Sequence, residues 1–142
     1  MHSPQTSWKQ AWGLVPLRLV LGVVFLMHAS QKLLVFQVAG TADILHKLGI
    51  PLASLAAVLL IVVESAGGVA MLAGFGTRTA SALLVVEMCV AIPVARLQGG
   101  FFAPSGFEFE ATLLGACATL ALLGPGAISV EAWLTRRRGA AG

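Results

Sequence analysis

Four runs of apolar residues, each long enough or nearly long enough to cross a lipid bilayer, constrain this chain more than any other feature of its sequence. Crossing about 30 Å of hydrocarbon takes about 20 mostly apolar residues in a helix. Only a helix or a closed barrel satisfies its own backbone groups in lipid. The runs lie at about residues 12–36, 53–73, 79–95 and 109–123, the last two near the short limit. The residues between them are those that stop helices. Pro51 precedes the second run, Gly74-Phe-Gly76-Thr-Arg makes a tight turn before the third, and Gly99-Gly100, Pro104 and Gly106 mark a loop before the fourth. Gly124-Pro125-Gly126 closes the fourth. Thr41 is placed to cap a short helix through Leu48, with Asp43 in its first turn and Gly49 at its end. A second short helix is expected over Ser129–Leu134, and both belong at the membrane interface.

Composition makes lipid necessary. The chain of 142 residues is 58% hydrophobic and 11% charged, against about 45–50% and about 25% for an average soluble domain. A soluble domain this small buries only about two-thirds of the surface its unfolded chain exposes, so the surplus apolar surface needs a bilayer. The first run follows Lys9, as a signal peptide follows its basic flank, but it is too long, carries Arg18 and Lys32 and lacks a small-residue cleavage site. It reads as a retained span. The predicted fold is all-α: a polytopic membrane protein, a bundle of four transmembrane helices with short interfacial helices, in one domain over residues 1–142. Ala66-Gly67-Gly68 in the second run and Gly115, Ala116 and Ala118 in the fourth let helix backbones approach closely.

Basic residues set the orientation. With four passes, Lys9, Arg18, Arg78, Arg136, Arg137 and Arg138 share one side, and Lys32, Lys47 and Arg96 the other. The first group is expected in the cytoplasm, which places both termini there. The net charge of +3 follows this topological bias, and with no tyrosine and few aromatics the chain lacks a nucleic-acid footprint. Cys89 and Cys117 form no C-x-x-C pair, so neither a dithiol redox motif nor a zinc site is spelled out, and packing is the simpler role for both.

The chemistry must lie with the ionisable groups inside the apolar runs, because each costs at least about 2.5–3.5 kcal/mol at mid-depth. Glu64 falls near the centre of the second run and Glu87 near the centre of the third. Both must be neutral, paired or beside water. Arg18 and Lys32 fall within about 40° of one helix face and about 21 Å apart along its axis, with His28 one turn inward from Lys32. Snorkelling to the interfaces is the bland role for the two cations, and His28 has no second metal ligand at a suitable spacing, so no metal site is expected. Glu108 and Glu110 open the fourth run, where the helix dipole favours anions. They are level with His28 and Lys32, and an ion pair from Lys32 to one of them would form a polar mouth at the outer face, with Glu64 as the deeper proton-accepting group. Glu87 has no evident partner.

Several stretches together resemble the DoxX family: Leu17-Arg18-Leu-Val-Leu-Gly22, His28-Ala-Ser-Gln31-Lys32-Leu33, Glu64-Ser-Ala-Gly67-Gly68 running on to Gly76-Thr77-Arg78, Gly106-Phe-Glu108 and Gly124-Pro125-Gly126. The resemblance covers about Leu17 to Glu131. It implies a four-helix protein of the bacterial cytoplasmic membrane, similar to the small membrane subunit of thiosulfate:quinone oxidoreductase and to members linked with thiol redox balance. The family-like positions are Arg18, His28, Gln31, Lys32, Glu64 and Glu108, whereas Glu87 and Arg96 depart from the pattern. The expected ligand-binding set is therefore Arg18, His28, Gln31, Lys32, Glu64, Glu108 and Glu110, with Glu64, His28 and Lys32 the candidates for chemistry.

Three functions compete. In the first, the chain is the membrane subunit of a redox complex. It binds a quinone, carries no covalently attached cofactor and meets a redox partner protein. Lys32 or His28 then hydrogen-bonds a quinone oxygen and Glu64 handles the proton. In the second, it is a non-catalytic module that binds or transports a small polar molecule through a cationic outer mouth. Four short helices are few for a monomeric transporter, so that version needs a homo-oligomer. In the third, it is a scaffold whose buried charges only lock helices together.

Overall fold

The computed structural model describes residues 8–140, which are all-α with no strand among them. The helices are α1 (Trp8–Ser30), α2 (Gln37–Lys47), α3 (Ala53–Ala73), α4 (Thr77–Ala91), α5 (Glu108–Leu123) and α6 (Val130–Ala140). A π-helical turn over Gln31–Phe36 joins α1 to α2, and a second one over Ile92–Arg96 prolongs α4. Three helical runs among the described residues are long and apolar enough to cross a membrane: Trp8–Lys47, Ala53–Ala73 and Thr77–Gly99. The fourth expected span, α5, has 16 residues, about 24 Å of helix.

The local signals explain most boundaries. α3 begins and ends where its apolar run does. It stops because Gly74 takes φ 69° and its N–H donates to the Ala70 carbonyl at 2.8 Å, with Phe75 N–H donating to the same carbonyl at 3.1 Å. A left-handed residue there turns the chain without a Cβ clash. Ser129 caps α6, its hydroxyl accepting the Ala132 N–H at 3.1 Å, and α6 runs on past the expected end at Leu134. Thr41 is not a cap. α2 starts four residues earlier, at Gln37, so Thr41 lies buried within α2 and its hydroxyl donates back to the Lys32 carbonyl at 3.5 Å. Gln37, with φ 60° and ψ 171°, breaks the helical dihedrals and lets α2 leave the α1 axis to pack against α3.

α1, α3, α4 and α5 form a ring in which each packs on the next, the α1–α5 seam being the loosest. The α1–α3 crossing is tight because Gly22 meets Gly68. A Cβ on Gly68 would stand 2.9 Å from the Gly22 carbonyl oxygen. The enclosed core is apolar: Leu21, Phe25, Met71, Leu84, Cys117 and Leu120 are all nearly inaccessible. The outer faces are apolar too, with Leu55, Leu59 and Val62 of α3 and Leu83, Val86 and Val90 of α4 exposed. That is the pattern of helices whose outside solvent is lipid.

Candidate functional site

Polar side chains collect at the two ends of the ring, and the two ends differ. At the end formed by the α3–α4 turn, Arg18 is 2% exposed and its Nη2 donates to the Ile128 carbonyl at 3.0 Å. The guanidinium lies directly against Gly74, where no side chain fits. The Glu131 carboxylate accepts the Gly76 N–H at 2.7 Å, and the Glu131 N–H donates to the Gly74 carbonyl at 3.2 Å. Arg78 donates to the Leu122 and Leu123 carbonyls at 2.6 and 3.2 Å, satisfying the last acceptors of α5. These contacts bind the segment after α5 across the end of the bundle. Arg18 thus belongs to a structural clasp and not to one site with Lys32.

The other end gathers the groups with chemistry. Both π turns lie here, and each carries a cation: Lys32 in the first and Arg96 in the second. A π turn widens the helix by one residue and redirects the side chains that follow it, which is why such turns recur at functional sites. Lys32 Nζ donates to both Glu64 oxygens at 2.8 Å, with the Glu64 residue 3% exposed. Arg96 Nε donates to Glu110 Oε1 at 2.7 Å. The Arg96 side chain is 43% exposed, so this second pair is at the rim. His28 lies between the two pairs, within electrostatic reach of Lys32, Glu64, Glu110 and Arg96, and its ring meets Phe109 at 5.7 Å between centroids and 37° between planes. Glu87 of α4 lies within hydrogen-bonding reach of Glu64.

The sequence-predicted residues therefore divide. His28, Lys32, Glu64 and Glu110 come together. Lys32 pairs with Glu64, however, not with Glu108 or Glu110 as expected, because the π turn aims the ammonium across at α3. Glu108 instead accepts the Ala103 N–H at 2.9 Å and pins the loop before α5, while Gln31 is exposed. Two members of the cluster were missed, Glu87 and Arg96. The first was legible: Glu64 stands eleven residues before Phe75 and Glu87 eleven after Gly76. Residues equidistant from a tight turn between antiparallel helices share one depth. Arg96 was not legible, because nothing short of the fold aims it at Glu110.

Electrostatically the cluster is nearly closed. Lys32 is balanced by Glu64 and Arg96 by Glu110, so no unpaired cation faces outward from it. Glu87 is the carboxyl left over. Its Oε2 is buried and, like Glu110 Oε2, receives no hydrogen bond from a described residue. Among the described residues no three His, Cys, Asp or Glu side chains converge as a metal site requires. Both cysteines are free, Cys89 exposed and Cys117 buried. A shallow hollow bordered by Phe101, Glu108, Phe109 and Thr112 opens beside the ring that stacks on His28.

Comparison with known proteins gives matches of sequence only. A family model described as DoxX matches residues 13–97. An uncharacterized membrane protein of Mycobacterium tuberculosis, Rv3486, is 32% identical over 89% of this chain and 83% of its own length. The inner membrane protein YphA of Escherichia coli is 27% identical over 80% of this chain and 84% of its own. No solved structure matches.

Proposed function

This chain belongs to the DoxX family of membrane proteins, and we propose that it is the membrane subunit of a redox complex whose His28–Lys32–Glu64–Glu87 cluster receives the headgroup of a quinone. The proposal includes four spans, with α5 the short fourth, in the bacterial inner membrane. Both termini are cytoplasmic, following the distribution of basic residues. The inner-membrane assignment is also that of YphA by name.

The observation that carries the reading is the pairwise charge balance of a polar cluster set among apolar helices. A cluster that binds a free anion needs uncompensated cations. Here both cations already hold carboxylates at 2.7–2.8 Å. A neutral headgroup that accepts hydrogen bonds fits better, since it leaves those pairs intact. His28 makes no hydrogen bond to another described residue, so its ring N–H is free for a carbonyl oxygen. Two of the three Lys32 N–H groups serve Glu64, which leaves one. The Phe109 ring beside His28 offers an aromatic wall. A quinone, when bound, supplies two-electron, two-proton redox chemistry. The chain's own part is to orient the carbonyl with His28 and Lys32 and to hold protons on the adjoining carboxyls. Electrons would come from a partner protein.

The scaffold reading has one observation in its favour: the two-oxygen Lys32–Glu64 contact ties the π turn after α1 to α3. The two readings separate on gentle purification from bacterial membranes followed by mass spectrometry of retained small molecules and proteins. The proposal expects a quinone or a redox protein with the wild type and its loss with Glu64→Gln. Bulk lipid alone in both preparations would leave the scaffold.

A further inference from the structure

The ionisable groups of this end lie at two levels along the bundle. At the rim is the Arg96–Glu110 pair, and further in are His28 and the Lys32–Glu64 pair, with Glu87 at the depth of Glu64. Beyond Glu87 the interior changes character. Leu84 lies one turn further along α4, and Leu84, Met71, Cys117 and Leu120 are each 0% exposed, with Phe25 at 1%. This apolar layer separates Glu87 from the next polar groups, Ser81 and Arg18. Ser81 is six residues along α4, about 9 Å away. No continuous file of polar atoms crosses the layer among the described residues.

Charge counting places a proton here. The groups facing Glu87 are Glu64 from α3, Lys32 from the first π turn and Cys117 from α5. His28 lies beside Lys32, in reach of Arg96 and Glu110. Lys32 already holds Glu64 through both oxygens, and Arg96 holds Glu110. Two adjoining carboxylates therefore face one ammonium, with Glu64 3% exposed and Glu87 Oε2 buried. A carboxylate oxygen of Glu87 would be buried with no donor, a state that costs its full desolvation. A proton on Glu87, donated towards Glu64, removes both the like-charge contact and the missing hydrogen bond.

We infer that Glu87 is the group that stores the proton in this bundle, and that the proton exchanges with water only at the Lys32–Arg96–Glu110 end. Glu64 is then the fixed carboxylate that positions Lys32. The exchange is a simple transfer: a hydronium from water at that end gives its proton to the Glu87 carboxylate and leaves water, and the reverse releases it. This deepens the quinone reading of the same site but does not need a quinone to be bound.

Infrared spectroscopy of the protein reconstituted in liposomes tests it. A carbonyl band of a protonated carboxyl that shifts in deuterated buffer is expected in the wild type. Glu87→Gln should lose it, Glu87→Asp should keep it at a displaced position, and Glu64→Asp, which keeps an anion for Lys32, should leave it unmoved. Helical amide bands check the fold of each variant. Retention of the unshifted band in Glu87→Gln, or a displaced band in Glu64→Asp with none in Glu87→Asp, overturns the assignment. Access is read in randomly oriented liposomes with a strongly buffered lumen. An external pH step should titrate only the molecules with the open end outward, and a proton ionophore should release the rest. Titration of the whole band by the external step alone refutes one-sided access. The spectrum is recorded on protein stripped of quinone, so failure of the quinone reading leaves this result standing, and the converse.

Discussion

Replacing Lys32 with methionine isolates what the central ion pair contributes. The substitution keeps an unbranched apolar stem and removes the ammonium that both Glu64 oxygens accept. The side chains of Lys32 and Glu64 are 19% and 4% exposed, so the carboxyl left behind is buried without its cation. Stranding one partner of a buried pair costs about 3–5 kcal/mol. The partial exposure of Lys32 places this case near the lower bound, at about 3 kcal/mol. Replacing both partners by apolar residues of similar volume is often neutral. The double variant Lys32→Met with Glu64→Leu is therefore expected to recover to within about 1 kcal/mol of the wild type, giving a coupling energy of at least about 2 kcal/mol from a double-mutant cycle. Circular dichroism of unfolding in mixed detergent micelles measures all four corners. A single Lys32→Met variant as stable as the wild type, or a double variant as damaged as the sum of the singles, would show that the pair is not buried as described.

Other perturbations give contrasting outcomes. Arg96→Met breaks a pair whose arginine is 43% exposed, and the same unfolding assay should register only about 0.2–1 kcal/mol. Gly68→Val places side-chain atoms against the Gly22 carbonyl and the Leu26 side chain, and overpacking at that crossing should cost about 1–3 kcal/mol, measurable by the same method. Arg18→Met removes the hydrogen bond to Ile128 and should release the segment after α5. Trypsin should then cut at Arg136–Arg138 several-fold faster, while the Lys32–Glu64 end keeps any bound molecule. Equal cleavage rates would show that the clasp does not depend on Arg18.

The limits of α3, the all-helical class and the depth of the ionisable residues were legible in the sequence because they depend on local quantities. Hydropathy over about 20 residues decides what lipid accepts, and glycine and proline decide where a helix stops. Family-like motifs marked His28, Lys32 and Glu64 for the same reason: they are short and contiguous. What was not legible depended on how the helices meet. Thr41 resembles a cap in one dimension, but α2 starts four residues earlier, at Gln37, so Thr41 has no helix start to cap. Arg18 and Lys32 share a face of one helix, yet Arg18 is claimed by the carbonyl of Ile128, 110 residues away, and Lys32 by Glu64. The sequence by itself determined that carboxyls and cations must enter a bilayer and at what depth. Only the tertiary structure decided which of them neutralise one another, because charges attract through space, most strongly at the shortest separation, and not along the chain. That pairing leaves Glu87 as the carboxyl without a cation of its own.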